Sequence, residues 1–522
     1  MRIVATCLTI SLLSACTKVG PDYHDPTVKV SKRWMQASKS KYASVKEANA
    51  HHTNWWKSFR DPTLDKLIQQ GVQDNLTLQT AGVRVLYSRA QLAQTVGQLY
   101  PQTQAGIGNY TYTRIGSSSL KQILPPSFDS AALGFTANWE IDFWGKYRRA
   151  IESNDASFLA SIASYDNALV SLTADIASTY INIRTYQALI GVTRSNIQLQ
   201  KESLQIVNSR YRAGQTSLLD VQQAKTQLSQ TEAQLPAQIA ELQVQKNKLA
   251  VLLGIVPNQV DALLTKSQGI PRAPAQVEVG IPKQILCQRP DVAEARFKAM
   301  ARSAAIGATK ANLFPALSLS GTFTFSSTDI GNSKISDMFR WSSRYVTAGP
   351  AVTWPILNYG QITNAVRMQD ASFQEALLNY LNTVLKAQEE VQNYISKYIQ
   401  AKKTTLSLST ANQSAIQSST LSLIRYKEGE TIYTTVLDSL RQQLQVQSNL
   451  TTARGDIALA VVGLYRSLGG GWEIRKGKDI VPEHVKQAMS ERTNWGILLE
   501  PQNHLPPVTP KQQFEQLYLP VW

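Results

Sequence analysis

Cysteine is nearly absent. Three residues among 522, Cys7, Cys16 and Cys287, are too few and too scattered for a disulfide framework, with Cys7 in the leader and Cys16 at its boundary. That excludes a disulfide-stapled fold, and the solitary Cys287 reads as a small buried apolar residue. Charge is sparse too, at 17% of residues. The formal net charge is +16, yet Lys and Arg are scattered, with no basic cluster beyond pairs such as Arg148-Arg149 and Lys402-Lys403. Without clustered basic and aromatic residues there is no nucleic-acid signature, and the charge reads as a solvated surface. The N-terminal apolar run, Ile3 to Leu13, is too short to span a bilayer as a helix. Catalytic signatures are missing. There is no G-x-S-x-G, no dinucleotide fingerprint, and Gly145-Lys146 lacks the glycine loop that a Walker A needs. His51-His52 has no Cys or third His nearby to complete a metal set. Glu389-Glu390, adjacent in a helical stretch, cannot share one face. The chain reads as no enzyme, with no metal and no cofactor.

Proline is missing where its absence matters most. From Lys146 to Arg212 nothing breaks a helix, and at about 1.5 Å per residue this run reaches about 100 Å. It closes on Arg210-Tyr211-Arg212-Ala213-Gly214 and returns from Leu218 to Leu253. Val221, Leu228, Leu235, Leu242 and Leu249 recur every seventh residue, a coiled-coil seam. Pro236 predicts a local kink or break there. A hairpin this long cannot bury itself alone, so something must pack along it.

The remaining chain falls into two copies of one plan. Residues 1–15 form a signal peptide and 16–60 a polar strap. The first repeat, 61–255, begins with a helix opened by Asp61-Pro62 and running to about Gln98. Two strands follow, at about 102–114 and 131–143, joined by an exposed Ser- and Pro-rich loop, and then the helical hairpin 146–253. In the second strand Leu133, Phe135, Ala137, Trp139, Ile141 and Phe143 alternate with polar or acidic residues. A linker, 256–284, leads to the second repeat, 285–470, with strands at about 316–327 and 345–357 and a helical hairpin at 362–468. Leu313-Phe314-Pro315 answers Leu99-Tyr100-Pro101, Trp354 answers Trp139, and Gly360 answers Gly145. Arg425-Tyr426-Lys427-Glu428-Gly429 answers the first tip turn, each landmark near 215 residues on. Residues 471–522 form a tail outside the repeat.

The strands have the length of tilted membrane-spanning strands. Four per chain cannot close a barrel, and lipid does not tolerate open edges. Two chains give a filled eight-stranded barrel; three give twelve strands and a lumen, so a pore implies a trimer. Trp139, Trp144, Trp341, Tyr345, Trp354 and Tyr359 suit an interfacial girdle, with ordinary packing as the alternative.

Leu13-Ser14-Ala15-Cys16 resembles the bacterial lipobox, which implies a diacylglycerol on Cys16 and acyl chains held in a membrane. Thr17 in place of Asp implies the outer membrane. The whole mature chain resembles the bacterial outer membrane factors, the TolC-like ducts, and above all their lipoprotein branch (OprM-like or NodT). The likeness rests on that lipobox, Gly20-Pro21-Asp22-Tyr23, Trp55-Trp56 with Phe59, Asp61-Pro62 and Leu99-Tyr100-Pro101. It continues through Phe143-Trp144-Gly145, both Arg-Tyr-x-x-Gly turns and Gln288-Arg289-Pro290-Asp291-Val292.

The resemblance implies an α+β membrane protein: a homotrimer with a twelve-stranded outer membrane β-barrel continued by a periplasmic α-helical barrel. It implies an exit duct for a tripartite efflux system, partnered by a periplasmic adaptor and an inner-membrane transporter, and opened when its tip helices splay. Adaptor docking would fall at Tyr211, Gly214, Tyr426 and Gly429. The periplasmic gate would fall at Thr434 and Asp438, three copies of Asp438 forming an acidic ring. Thr434 stands where relatives often carry a large apolar residue, and a helix-surface carboxylate is the plain alternative for Asp438. Asp220 reads as a helix-surface or turn residue. Arg210 and Arg425 are placed to hold the closed tip through hydrogen bonds, with solvated arginines the commoner alternative. Competing readings are a duct for type I polypeptide secretion, or a non-conducting coiled-coil envelope lipoprotein, which would need no barrel.

Overall fold

The computed structural model describes residues 18–31, 34, 43–45, 53–117, 119–264, 269–279, 282, 286, 288–331, 333–500 and 520. The expectations for the signal peptide, Cys16, His51-His52 and Cys287 lie outside these residues. After β1 (Ala43–Val45) come two helices, α1 (Pro62–Asp74) and α2 (Leu76–Gly97). The Asp61 carboxylate accepts from the Thr63 and Leu64 N–H groups at 2.9 and 3.3 Å, and Pro62 fills the first turn, where no N–H is needed. The sequence pattern predicts one helix to Gln98; the chain makes two. Asn75 divides them: its extended backbone ends α1, and its side chain accepts from Leu78 N–H at 2.8 Å to start α2.

The first repeat continues as β2 (Thr103–Arg114), β3 (Ser127–Ile141), α3 (Lys146–Arg212) and α4 (Leu218–Leu253). A short strand, β4 (Val277–Val279), pairs in parallel with β1, a pairing the linker's composition does not announce. The second repeat is α5 (Pro290–Lys310), β5 (Ala316–Thr328), β6 (Arg344–Thr353), α6 (Gln361–Glu428) and α7 (Tyr433–Ser467), with α8 (Glu483–Ser490) beyond it. β3 starts earlier than its alternation suggests, at Ser127, and β6 ends before Trp354. The break expected at Pro236 does not occur. That residue is exposed inside a continuous α4, so the carbonyl it orphans faces outward to water.

α3 and α6 have 67 and 68 residues, each close to 100 Å long. Each begins after a glycine in the left-handed region, Gly145 (φ 75°) and Gly360 (φ 82°), which turns the chain from strand into helix. Nearer the sheet the helices pack in the order α2, α3, α5, α6; nearer the tip the order is α4, α3, α7, α6. Within the chain α3 is thus flanked on both sides at both levels, and α6 on one side only.

The main core lies where these sets meet. Trp55, Trp56 and Phe59 are buried there among α1, α3 and α7, so the strap is part of the core rather than a polar cover. Trp55 stacks on Tyr465 with ring centroids 5.5 Å apart. Arg289 is also buried; its guanidinium donates to the Ser467 carbonyl and pairs with Asp291 at 2.7 Å and Glu390 at 2.8 Å. It thereby joins the start of α5 and the end of α7 to the middle of α6. Farther up, Val19 N–H donates to the Trp144 carbonyl at 3.1 Å, while Arg149 donates to Val19 and pairs with Asp22 at 2.8 Å. This ties the strap to the foot of the sheet.

Candidate functional site

The strands form one antiparallel sheet in the order β2, β3, β5, β6. Residues directly opposite each other in such a sheet share a face. One face therefore carries the rows Phe135–Phe323–Val346, Trp139–Leu319–Pro350 and Ile141–Leu317–Val352. The other carries Thr136–Thr322–Thr347 and Asn138–Ser320–Gly349. Phe135 is 70% exposed, and Leu133, Val346 and Val352 are exposed beside it, so the apolar face turns outward rather than into a core. An apolar exterior and a hydroxyl-lined interior are what a barrel wall in lipid requires.

The sheet is incomplete. β2 and β6 are its free edges, and with four alternating strands they run in opposite directions. β6 of one copy can therefore pair antiparallel with β2 of the next, closing the wall with no exposed edge. At the sheet's foot, Trp139 and Trp354 each donate an indole N–H at 3.1 Å, to the carbonyls of Leu99 and Leu313 respectively. These are matched positions of the repeat, and each ties a strand to the helix before it. The girdle reading did not foresee these indole contacts, which only the folded chain reveals.

At the far end, α3–α4 and α6–α7 make two adjacent hairpins. A small core of Val207, Val221, Ala224, Tyr426, Tyr433, Val436, Leu437 and Leu440 joins them. The two matched turns differ. Tyr426 is buried, its ring 5.4 Å from that of Tyr433, whereas Tyr211 is 42% exposed. Arg210 links them: its guanidinium lies 4.8 Å over the Tyr426 ring and donates to the carbonyls of Tyr426 and Lys427. Gly214 (φ 73°) and Gly429 (φ 83°) both take the left-handed backbone these turns need. Burial pushes the Tyr433 hydroxyl upward in pKa, which keeps it a neutral hydrogen-bonding group at physiological pH.

Thr434 and Asp438 are both exposed and lie one turn apart on α7, so they share a face. Asp438 lies 3.7 Å from Arg441, which in turn donates to Gln227 on α4 at 2.7 Å. The sequence reading missed this tether; the spacing of three residues in a helix was its only signal. Asp220 sits in the first turn of α4, with its N–H capped by Ser217, and accepts from Thr216. Tyr211, Gly214, Tyr426 and Gly429 come together at one end, and Thr434 and Asp438 follow within the next helical turns. Cys16 lies outside the described residues, two positions before Lys18.

The model of the outer membrane efflux protein family matches residues 67–255 and 281–470, one match per repeat. Nodulation protein T of Rhizobium leguminosarum bv. viciae is 28% identical over 478 residues, covering 91% of this chain and 94% of the relative. The cation efflux system protein CusC of Escherichia coli is 26% identical, covering 90% of this chain and 99% of the relative. The structure of the outer-membrane channel OprN superposes with a TM-score of 0.80 at 30% identity, over 87% of this chain and all of that one. With a match in each repeat and this shared architecture, the chain belongs to the outer membrane efflux protein family.

Proposed function

We propose that this protein is the lipid-anchored outer membrane exit duct of a tripartite efflux system, passively conducting what an inner-membrane pump and a periplasmic adaptor deliver. The observation that carries this reading is the incomplete wall: an outward apolar face, a polar face and two free edges of opposite direction. A non-conducting envelope lipoprotein would have no use for it. The repeat supports three chains per duct. β3 pairs with β5, α3 packs on α5, and α3 packs on α7 within the chain. Exchanging the repeats turns these contacts into β6 with β2, α6 with α2, and α6 with α4 of the next chain. Three copies then give twelve strands, enough for a lumen. Lys18 is held beside Trp144 and Gly145 at the sheet's foot. An acylated Cys16 two residues earlier lies within about 7 Å of chain from that level.

Thr434 and Asp438 are assigned to the periplasmic gate, with Asp438 forming a three-carboxylate ring on the axis. Asp438→Asn will lower the cation preference of single channels in a salt gradient, read as a reversal potential moving toward zero. An unchanged reversal potential would remove Asp438 from the pore. Tyr211, Gly214, Tyr426 and Gly429 are assigned to adaptor docking. A photo-crosslinking residue at Gln215 leaves the Ser217 cap intact and faces outward beside the first turn. In cells it should capture a periplasmic adaptor, identified by mass spectrometry. Capture of neighbouring duct subunits alone would sink the docking assignment.

A further inference from the structure

The two tip turns are matched residue for residue, yet only one of the two contacts they specify is made within a chain. Arg210 covers the second turn. Its counterpart 215 residues on, Arg425, is exposed and makes no side-chain hydrogen bond or ion pair among the described residues. The seat that Arg425 matches is empty in the single chain. A Cβ placed on Gly429 would meet the Arg210 guanidinium at 3.5 Å, whereas one on Gly214 would meet nothing within 4 Å. Tyr211, which corresponds to the buried Tyr426, is left 42% exposed, and Leu218, at the place of Tyr433, is exposed beside it.

We propose that Arg425 is a latch of the open tip, its guanidinium lying over the Tyr211 ring of the partner subunit and donating to the backbone carbonyls of that turn. This rests on the trimer reading above. Six hairpins then ring the axis, two from each chain. If every neighbour pair makes the contact that Arg210 makes, the distances and angles between hairpins are equal and the ring is regular. A regular ring is the widest one that such contacts permit. Narrowing it requires alternate contacts to differ, and the contacts free to differ are those between chains. The within-chain contact is backed by the small core around Tyr426 and Tyr433, so it holds each hairpin pair together in either state. Between chains the matched positions are more polar, with Gln222, Lys225 and Ser422 standing where Leu437, Leu440 and Val207 stand within the chain, which suits a contact made and broken in each cycle. Arg425 therefore holds the open tip, not the closed one expected from sequence.

The test uses the full-length acylated trimer in planar bilayers, with the assembly mass measured first. Arg425→Ala removes all three between-chain contacts, each worth about fivefold as an exposed cation–π contact, so the conducting fraction should fall about 100-fold where they break together. Arg425→Lys should restore part of it, because the ammonium still attracts the ring but lacks the planar fork. In a Cys287→Ser background, Tyr211→Cys with Arg425→Cys and a short bis-maleimide should join chains covalently and hold channels conducting. A trimer whose conducting fraction is unchanged or raised by Arg425→Ala, or whose joined chains are shut, overturns the latch and leaves the duct standing. A chain that forms no trimer overturns both.

Discussion

Arg475→Ala should destabilise the protein by about 3–5 kcal/mol, because it strands a buried carboxylate. Arg475 pairs through both arms with Asp166 on α3, one contact at 2.7 Å, and the two side chains are 9% and 8% exposed. The pair pins the turn after α7 to the first third of α3, with the Trp472 ring facing the guanidinium at 5.7 Å. Burial pushes the Asp166 carboxyl above its usual range, and the guanidinium opposes that push. Without Arg475 only the more distant Lys476 charge opposes the push. A carboxyl raised in the folded state favours folding at pH values where it is protonated, and that benefit is lost as pH rises through its folded value. The variant should therefore lose less stability in acid than at neutral pH. Denaturant unfolding of the extracted protein at several pH values reads both effects. A loss below about 1 kcal/mol at neutral pH would show the pair to be a solvated bridge. Asp166→Leu with Arg475→Met should recover much of the loss, since an apolar pair leaves no charge stranded.

Trp55→Ala should cost about 3–5 kcal/mol, the range for emptying a large aromatic site in a packed core. Trp55 is 1% exposed, stacked on Tyr465 and edge-on to Trp56 at 5.7 Å. Its loss opens a cavity between the strap and the end of α7, where neither side can collapse without moving a long helix. Trp55→Phe should cost less, because it keeps the stack and removes an indole N–H that has no hydrogen-bond partner among the described residues. Melting of the detergent-extracted trimer, followed by its dissociation on gels, compares the two. Equal losses for Ala and Phe would mean that the ring's packing is not what holds the strap.

Much of the architecture is readable before any coordinates. The long helices follow from 67 residues without a proline, because nothing local competes with helix over that span. The repeat follows from matched turns at a constant spacing, and the two-faced strands from alternation in Leu133 to Ile141. Local rules misjudged three places. Asn75 sits in an apolar periodic stretch, and its preference for a cap outweighed the period. Pro236 left its helix intact because the lost hydrogen bond is exposed. Trp55 and Trp56 lie in a polar segment, where composition argues for a surface and only the partner helices decide burial.

The tip divides along the same line. Sequence alone determined that two Arg-Tyr-x-x-Gly turns exist, that each ends a long helix, and that Thr434 and Asp438 follow the second. Those are statements about neighbours along the chain, and short-range sterics and capping enforce them. Tertiary structure decided that Tyr426 is buried while Tyr211 is not, that Arg210 reaches across to the other repeat, and that Arg441 tethers Asp438 to Gln227. Residues 216 positions apart meet because α3 and α6, each about 100 Å long, both pack on α7. No local pattern encodes that distance; the packing of α3 against α7 does.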